Sequence, residues 1–274
     1  MLRELAKKTG TYAIAGIAGR AVSILLLPVY TRFLSPADYG VMELLDLTVN
    51  LVSLLLGARL GQAIFYFYFA AEGEREKEKC VSTALACSVL CGILCATLSL
   101  VLAPPLSRLI FGTAQYSHYL RLVFLGFGLS LPAEVGYCCL RAYGDSKRFA
   151  VVKLVSQLGA AILAVTFLSF FHAGINAMLA AGIIGFAAAG AYVSWHLLRP
   201  MRLSIDPRLM MRLVRYSMPL GVSALAVFLV HYGDRFFLRP RISLAELGVY
   251  SLAYKIGMLV SFCHAPFVLH WNAQ

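Results

Sequence analysis

Glu43, Asp46 and Asn50 fall at i, i+3 and i+7 in the stretch RFLSPADYGVMELLDLTVN (residues 32–50), and Ser53 continues the line. On a helix these four share one face. Two carboxylates and an amide on an otherwise apolar segment can hold a cation, accept from sugar hydroxyls, or pair with arginines. Two arginines lie near in sequence. Arg20 sits in the middle of the apolar run 11–30, among Gly16, Gly19 and Ser23, and Arg59 sits between Gly57 and Gly61. With a rise of ~1.5 Å per residue, Asp46 comes within an arginine's reach of the level of Arg20. Such a pair would lock two helices together, or both groups would line a polar cavity; the two readings are compatible. Arg59 would either snorkel to the membrane interface or face inward with Arg20. Facing inward, the two guanidinium groups suit phosphate, because they bind it bidentately and stay charged in a low-dielectric site. Glu134, which follows Pro132, would sense protons, coordinate a cation or pair with an arginine, and Lys255 would face Asp46 across a cleft. The candidate binding set is therefore Arg20, Arg59, Glu43, Asp46, Asn50, Glu134 and Lys255.

The elements that must hold these groups are set by composition. Of 274 residues, 60% are hydrophobic and only 14% charged, with a mean hydropathy of +0.78. A soluble domain of this length needs a far more charged surface, so the chain reads as an integral membrane protein. About 20 apolar residues cross the hydrocarbon as a helix. Eight such spans fit, at 11–30, 41–67, 81–103, 119–141, 150–171, 174–197, 217–238 and 247–270. Backbone groups in lipid must be satisfied internally, and the runs are too long for barrel strands and lack their alternation, so the class is all-α, a polytopic membrane helical bundle. An ionisable residue inside a span costs ~2.5–3.5 kcal/mol on insertion scales, and the candidate residues are expected to face a cavity or a partner. The first run is too long for a secretory h-region and carries Arg20 at its centre, so it reads as an uncleaved span.

Sidedness follows from Lys and Arg. The N-terminus and the loops near 70–80, 141–153 and 199–215 carry fifteen of the 24, against six on the other side. The N-terminus is expected in the cytoplasm, and the net charge of +11 reads as topological rather than as a sign of nucleic-acid binding. The five arginines of 199–216 with interleaved apolar residues suggest an amphipathic helix on the anionic inner leaflet. The FYFYF run, Phe65 to Phe69, reads as an interfacial aromatic belt. Seven cysteines occur without a CxxC pair, three of them at Cys87, Cys91 and Cys95 on one helix face; in lipid they read as small packing residues rather than metal ligands or disulfides. The histidines show no metal spacing either.

A self-match at an offset of 208 organises the chain: SPADYGV at 35–41 and SLAELGV at 243–249. Each copy precedes a span, and six spans per copy keep both in the same orientation, a repeat scheme of secondary transporters. The expected divisions are a six-helix lobe at 1–198, a basic linker at 199–216, and the first two helices of a second lobe at 217–274. Such a chain is expected to be a truncated version of a protein of twelve or more spans. At the offset of 208, Glu43, Asp46, Asn50 and Arg59 correspond to Ser251, Tyr254, Met258 and Phe267. The turn recurs and the charges do not, which points to a role particular to the first lobe.

Several motifs carry a family resemblance. Thr31-Arg32-Phe33-Leu34-Ser35-Pro36-Ala37-Asp38-Tyr39-Gly40 resembles the turn after the first span of Wzx-type polysaccharide (O-antigen) flippases, of the multidrug/oligosaccharidyl-lipid/polysaccharide exporter superfamily. Tyr216-Ser217-Met218-Pro219-Leu220 and Asp234-Arg235-Phe236-Phe237-Leu238, followed by Leu247-Gly248-Val249-Tyr250-Ser251, are similar to later motifs of that family. The resemblance implies a two-lobe exporter fold in the bacterial inner membrane. It implies an undecaprenyl-pyrophosphate-linked oligosaccharide as cargo, moved by alternating access for surface polysaccharide or lipopolysaccharide biosynthesis. Other polysaccharide assembly proteins would be partners beside the bilayer. No catalytic residues and no cofactor are expected, apart from a coupling cation, Na+ or H+. A cation-coupled small-molecule or drug exporter, a truncated non-transporting remnant and a membrane-embedded enzyme are the competing readings; an enzyme would need clustered acids or a His–acid pair in a loop, and the loop EGEREKEK (72–79) offers only alternating charge.

Overall fold

In the computed structural model, residues 22, 25, 26, 28–55, 60–171, 174–201 and 204–257 are described. Nine helices are defined among them: α1 (Pro36–Leu55), α2 (Leu60–Ala70), α3 (Glu74–Phe111), α4 (Ser117–Ala142), α5 (Ser146–Phe171), α6 (Gly174–Leu198), α7 (Pro207–Tyr232), α8 (Asp234–Leu238) and α9 (Leu244–Gly257). The described residues contain no strand. Helices α3 to α7 are each long and apolar enough to cross a bilayer. The third to sixth expected spans are thus helices that cover their apolar runs, whereas the seventh, expected at 217–238, is divided between α7, which ends at Tyr232, and the short α8. The first span, and the eighth beyond Gly257, lie mostly outside the described residues. The second is described as α1 and α2, on either side of residues 56–59.

Local chemistry places the ends. Gly73 adopts φ 103°, a conformation that suits glycine, and turns the chain from α2 into α3. Gly112 at φ 77° closes α3 and donates its N–H to the Arg108 carbonyl, the αL ending common after helices. Helix α3 continues past Pro104 and Pro105 and α4 past Pro132 without a break in either helix.

The basic stretch differs from the expected surface helix. Asp206 caps α7 by accepting from the backbone N–H groups of Arg208 and Leu209, with Pro207 at the first helical position. One helix then continues from Pro207 through Pro219 to Tyr232, so the expected linker boundary at 216/217 lies inside a helix. An N-cap and an N1 proline are strong start signals, and they outweigh the change in composition ten residues later. The start of α7 is also tied to α3: Lys79 pairs with Asp206 at 2.6 Å, and the Ser82 hydroxyl donates to the Ser204 carbonyl at 2.7 Å.

Helix α4 is central and packs against α3 and α6, while α5 packs on α6 and α9 on α1. One buried cluster joins α2, α3, α4, α6 and α7 around Ile64, Val81, Leu140, Val193 and Leu213. A second joins α1, α3, α4, α6 and α9 around Leu44, Leu120 and Leu247. The two groups of loops sort to opposite ends. Lys79 meets Asp206 at one end, and at the other Arg239 Nη2 donates to the Phe111 carbonyl at 2.9 Å. The loops grouped by their basic residues share an end in space as well.

Candidate functional site

The two copies of the repeat meet face to face. In the first, Ser35 N–H and Oγ donate to Asp38 Oδ2 at 2.9 and 2.8 Å, and Asp38 N–H donates back to Ser35 Oγ at 3.2 Å. In the second, Ser243 and Glu246 make the same three bonds at 2.8, 2.8 and 3.2 Å. Each is a reciprocal capping box, which explains why Ser and an acid recur three apart. The recurring glycines have a different cause. A Cβ on Gly40 would lie 2.0 Å from the Leu244 carbonyl oxygen, and one on Gly248 would lie 2.0 Å from that of Pro36. Residues 36 and 244, like 40 and 248, are 208 apart. Helices α1 and α9 therefore cross backbone to backbone about a pseudo-two-fold, and only glycine fits there.

Just beyond this crossing lies a buried ionic cluster. Glu43 is 5% exposed. Its carboxylate pairs with Lys255 Nζ at 2.8 Å and lies 3.4 Å from Arg235 Nε. That second approach is Coulombic rather than a directed hydrogen bond, since the buried Nε lacks a hydrogen-bond partner. Arg235 is wholly buried. It donates through Nη1 to Asp234 Oδ1 at 2.6 Å and to the His231 carbonyl at 3.1 Å. Its guanidinium carbon lies 4.1, 5.2 and 5.5 Å from the ring centroids of Tyr254, Tyr232 and Tyr250. Tyr250 in turn donates its hydroxyl to Asp234. A buried guanidinium is tolerated when aromatic faces, acids and carbonyls replace water. The carboxylate comes from the first repeat and both cations from the second.

Of the expected site residues, Glu43 and Lys255 are brought together. Lys255 therefore pairs with Glu43, and not directly with Asp46 as expected, although its charge still acts on Asp46. The reason is helix direction: on α1, Glu43 points into the α9 contact, whereas Asp46 and Asn50 are exposed. Asn50 donates its amide to the Asp46 backbone carbonyl, and Ser53 its hydroxyl to that of Asn50. The four polar groups thus divide: Glu43 and Ser53 are buried, and Asp46 and Asn50 are exposed. Arg20 and Arg59 lie outside the described residues.

Glu134 belongs elsewhere. It is exposed on α4 and lines a cavity of about 250 Å³ between α4, α5 and α6, together with Lys153 and Tyr137. Arg235, one of the six basic residues on the sparsely charged side, is buried rather than a loop charge, which the count of Lys and Arg does not reveal. The available signal was Tyr250 and Tyr254, four apart on one helix face, following an Asp-Arg pair. The six described cysteines are free, and no group of three or more His, Cys, Asp or Glu side chains converges among the described residues.

This architecture is that of a multi-pass membrane protein with the MOP-superfamily transporter fold. It is similar to a MOP superfamily transporter from Pyrococcus furiosus, with a TM-score of 0.69 and 17% identity over 92% of this chain and 60% of that one. It is also similar to a multidrug resistance MATE family transporter in its inward-facing conformation, with a TM-score of 0.67, 17% identity, and coverage of 91% and 57%. Residues 5–270 match the family described as polysaccharide biosynthesis protein, and the chain belongs to that family. It is 22% identical over 259 residues to the succinoglycan biosynthesis transport protein ExoT of Rhizobium meliloti, covering 92% of this chain and 48% of that protein. The chain thus spans about half the length of that relative.

Proposed function

We propose that the protein acts as a flippase for an undecaprenyl-pyrophosphate-linked oligosaccharide, carrying it from the cytoplasmic to the outer leaflet of the bacterial inner membrane. One observation carries this reading. The crossing of α1 and α9 is sealed by a carboxylate of one repeat held by two cations of the other, Arg235 and Lys255. A seal whose opposite charges come from different lobes can open without unfolding either lobe, which is what alternating access requires. The family supports the cargo class, and the ExoT relative is itself described as a transport protein of polysaccharide biosynthesis.

In this reading the N-terminus is cytoplasmic and the α1–α9 crossing closes the outer side. Arg20 and Arg59 host the pyrophosphate, and the exposed Asp46 and Asn50 meet sugar hydroxyls or a coupling cation, Na+ or H+. Other polysaccharide assembly proteins supply and receive the cargo, and the protein performs no covalent chemistry. The test is the distribution of lipid-linked oligosaccharide between leaflets in cells carrying Arg20→Ala, Arg59→Ala or Glu43→Ala at the chromosomal locus. Accumulation on the inner leaflet with normal protein levels is expected. An unchanged distribution in all three would reject the reading, and loss of small-molecule efflux instead would favour the drug-exporter alternative.

A further inference from the structure

The cavity of about 250 Å³ that Glu134 lines is distinct from the Glu43 cluster and lies at another level of the bundle. Glu134 is eight residues from the Ala142 end of α4, and Lys153 seven from the Ser146 end of α5. At ~1.5 Å per residue both sit ~10–12 Å from that end. The Glu43 seal lies a similar distance from the opposite end, at Pro36. The cavity is therefore on the side from which cargo would enter while the seal is closed.

Its walls combine two kinds of surface. Glu134 and Lys153 both line the space, yet they make no ion pair with one another. Lys153 Nζ lies instead 5.9 and 5.5 Å from the ring centroids of Tyr137 and Phe149. The Ser156 hydroxyl donates to the Lys153 carbonyl at 3.0 Å and lies 3.3 Å from the Tyr137 hydroxyl, which leaves acceptor capacity on both oxygens. Across from them, Gly182 leaves the wall bare: an added Cβ would meet only the Phe186 ring, at 3.9 Å. Acceptors and donors of opposite charge thus stand beside open aromatic surface, with no net charge to match. A pyranose ring has this complement, with hydroxyls around its edge and an apolar C–H face. The volume is below the ~300–1,000 Å³ of pockets for drug-sized ligands, so it suits one ring and not an oligosaccharide.

We propose that this recess is a monosaccharide subsite, in which Glu134 and Lys153 bind the hydroxyls of one neutral pyranose ring and Phe186 receives its C–H face. The flippase reading explains why a glycan would be present; the subsite itself rests on the cavity. It is tested with the whole chain in phospholipid nanodiscs, by saturation-transfer NMR with methyl glucoside, galactoside and mannoside at millimolar concentration. Transfer to the ring protons of at least one glycoside is expected, competed by an excess of the unmethylated sugar. A drop of five-fold or more is expected in Gly182→Leu, which fills the recess, and a smaller drop in Glu134→Gln and Lys153→Met. Phe186→Ala, which removes a ring already 46% exposed, should lose signal without a change in melting temperature and decides the matter if Gly182→Leu does not fold. Transfer equal to that of empty nanodiscs, or undiminished in the filled and truncated variants, would overturn the subsite. Glycoside binding and leaflet distribution are read separately: loss of transfer in the variants upholds the subsite whatever export does, whereas the flippase reading stands or falls on the leaflet distribution.

Discussion

Glu43 forms an ion pair with Lys255 at 2.8 Å and offsets the buried charge of Arg235, so its removal leaves a guanidinium short of counter-charge in the interior. Removing one partner of a buried pair costs ~3–5 kcal/mol. Glu43→Ala is expected near the lower bound, ~3 kcal/mol, because Asp234 and three tyrosines still surround Arg235; thermal unfolding in detergent measures it. Lys255→Ala should cost ~1 kcal/mol or less, since its side chain is 54% exposed. Stability of the two single variants and the double variant separates the pair from the background. At the other end, the Asp206 carboxyl is held below its usual value by the hydrogen bond from Lys79, then by the backbone N–H of Arg208. A carboxylate with a depressed folded value contributes above its unfolded value of ~3.9 and loses the contribution as pH falls through the folded value. The start of α7 should therefore be unchanged from pH 8 to 5 and loosen only below pH ~4. Amide exchange at Arg208 and Leu209 reads this, and Asp206→Ala, which removes the cap, should show the loosened rate at neutral pH.

Helices α1 and α9 begin with the same capping box, so equal substitutions should have equal effects. Ser35→Ala and Ser243→Ala are each expected to cost ~1 kcal/mol. The glycines offer a sharper contrast. In a free helix Gly→Ala stabilises by ~1 kcal/mol; at Gly40 or Gly248 the methyl would sit 2.0 Å from a carbonyl oxygen. Both Ala variants should lose ~2 kcal/mol, in the range of overpacked contacts, and a rise in the melting temperature would contradict the crossing. Helix α7 carries the other lesson at this scale. Its apolar run begins after the arginines, but its backbone begins at the Asp206 cap and Pro207, and hydrogen bonding rather than hydropathy marks where a helix starts.

At the scale of the molecule, the two ends of the bundle gather different loops. An impermeant maleimide added to intact cells should label Gln115→Cys, between α3 and α4, and reach Lys147→Cys, in the first turn of α5, only after permeabilisation. The reverse pattern would invert the orientation, and with it the assignment of the α1–α9 seal to the outer side. Among the described cysteines, Cys80, Cys87, Cys95, Cys138 and Cys139 are buried and Cys91 half-buried, and labelling of the protein without added cysteines sets the background.

Helical class, the long apolar spans, the sorting of loops to two ends and the repeat of 208 residues were all legible in the sequence. Each depends on a local or additive property: hydropathy over a window, counts of Lys and Arg, a capping box that spans four residues. The site was legible only in part. Glu43 and Lys255 stood out as costly in lipid, but that they share a bond, that Glu134 lines a separate cavity, and that Arg235 is buried rather than a loop charge depend on which faces of distant helices meet. Residues 43, 235 and 255 are brought together by the fit of Gly40 against Gly248. Two glycines permit such an approach without declaring it, because a missing side chain looks the same in sequence whether the space beside it is filled by a backbone or left open.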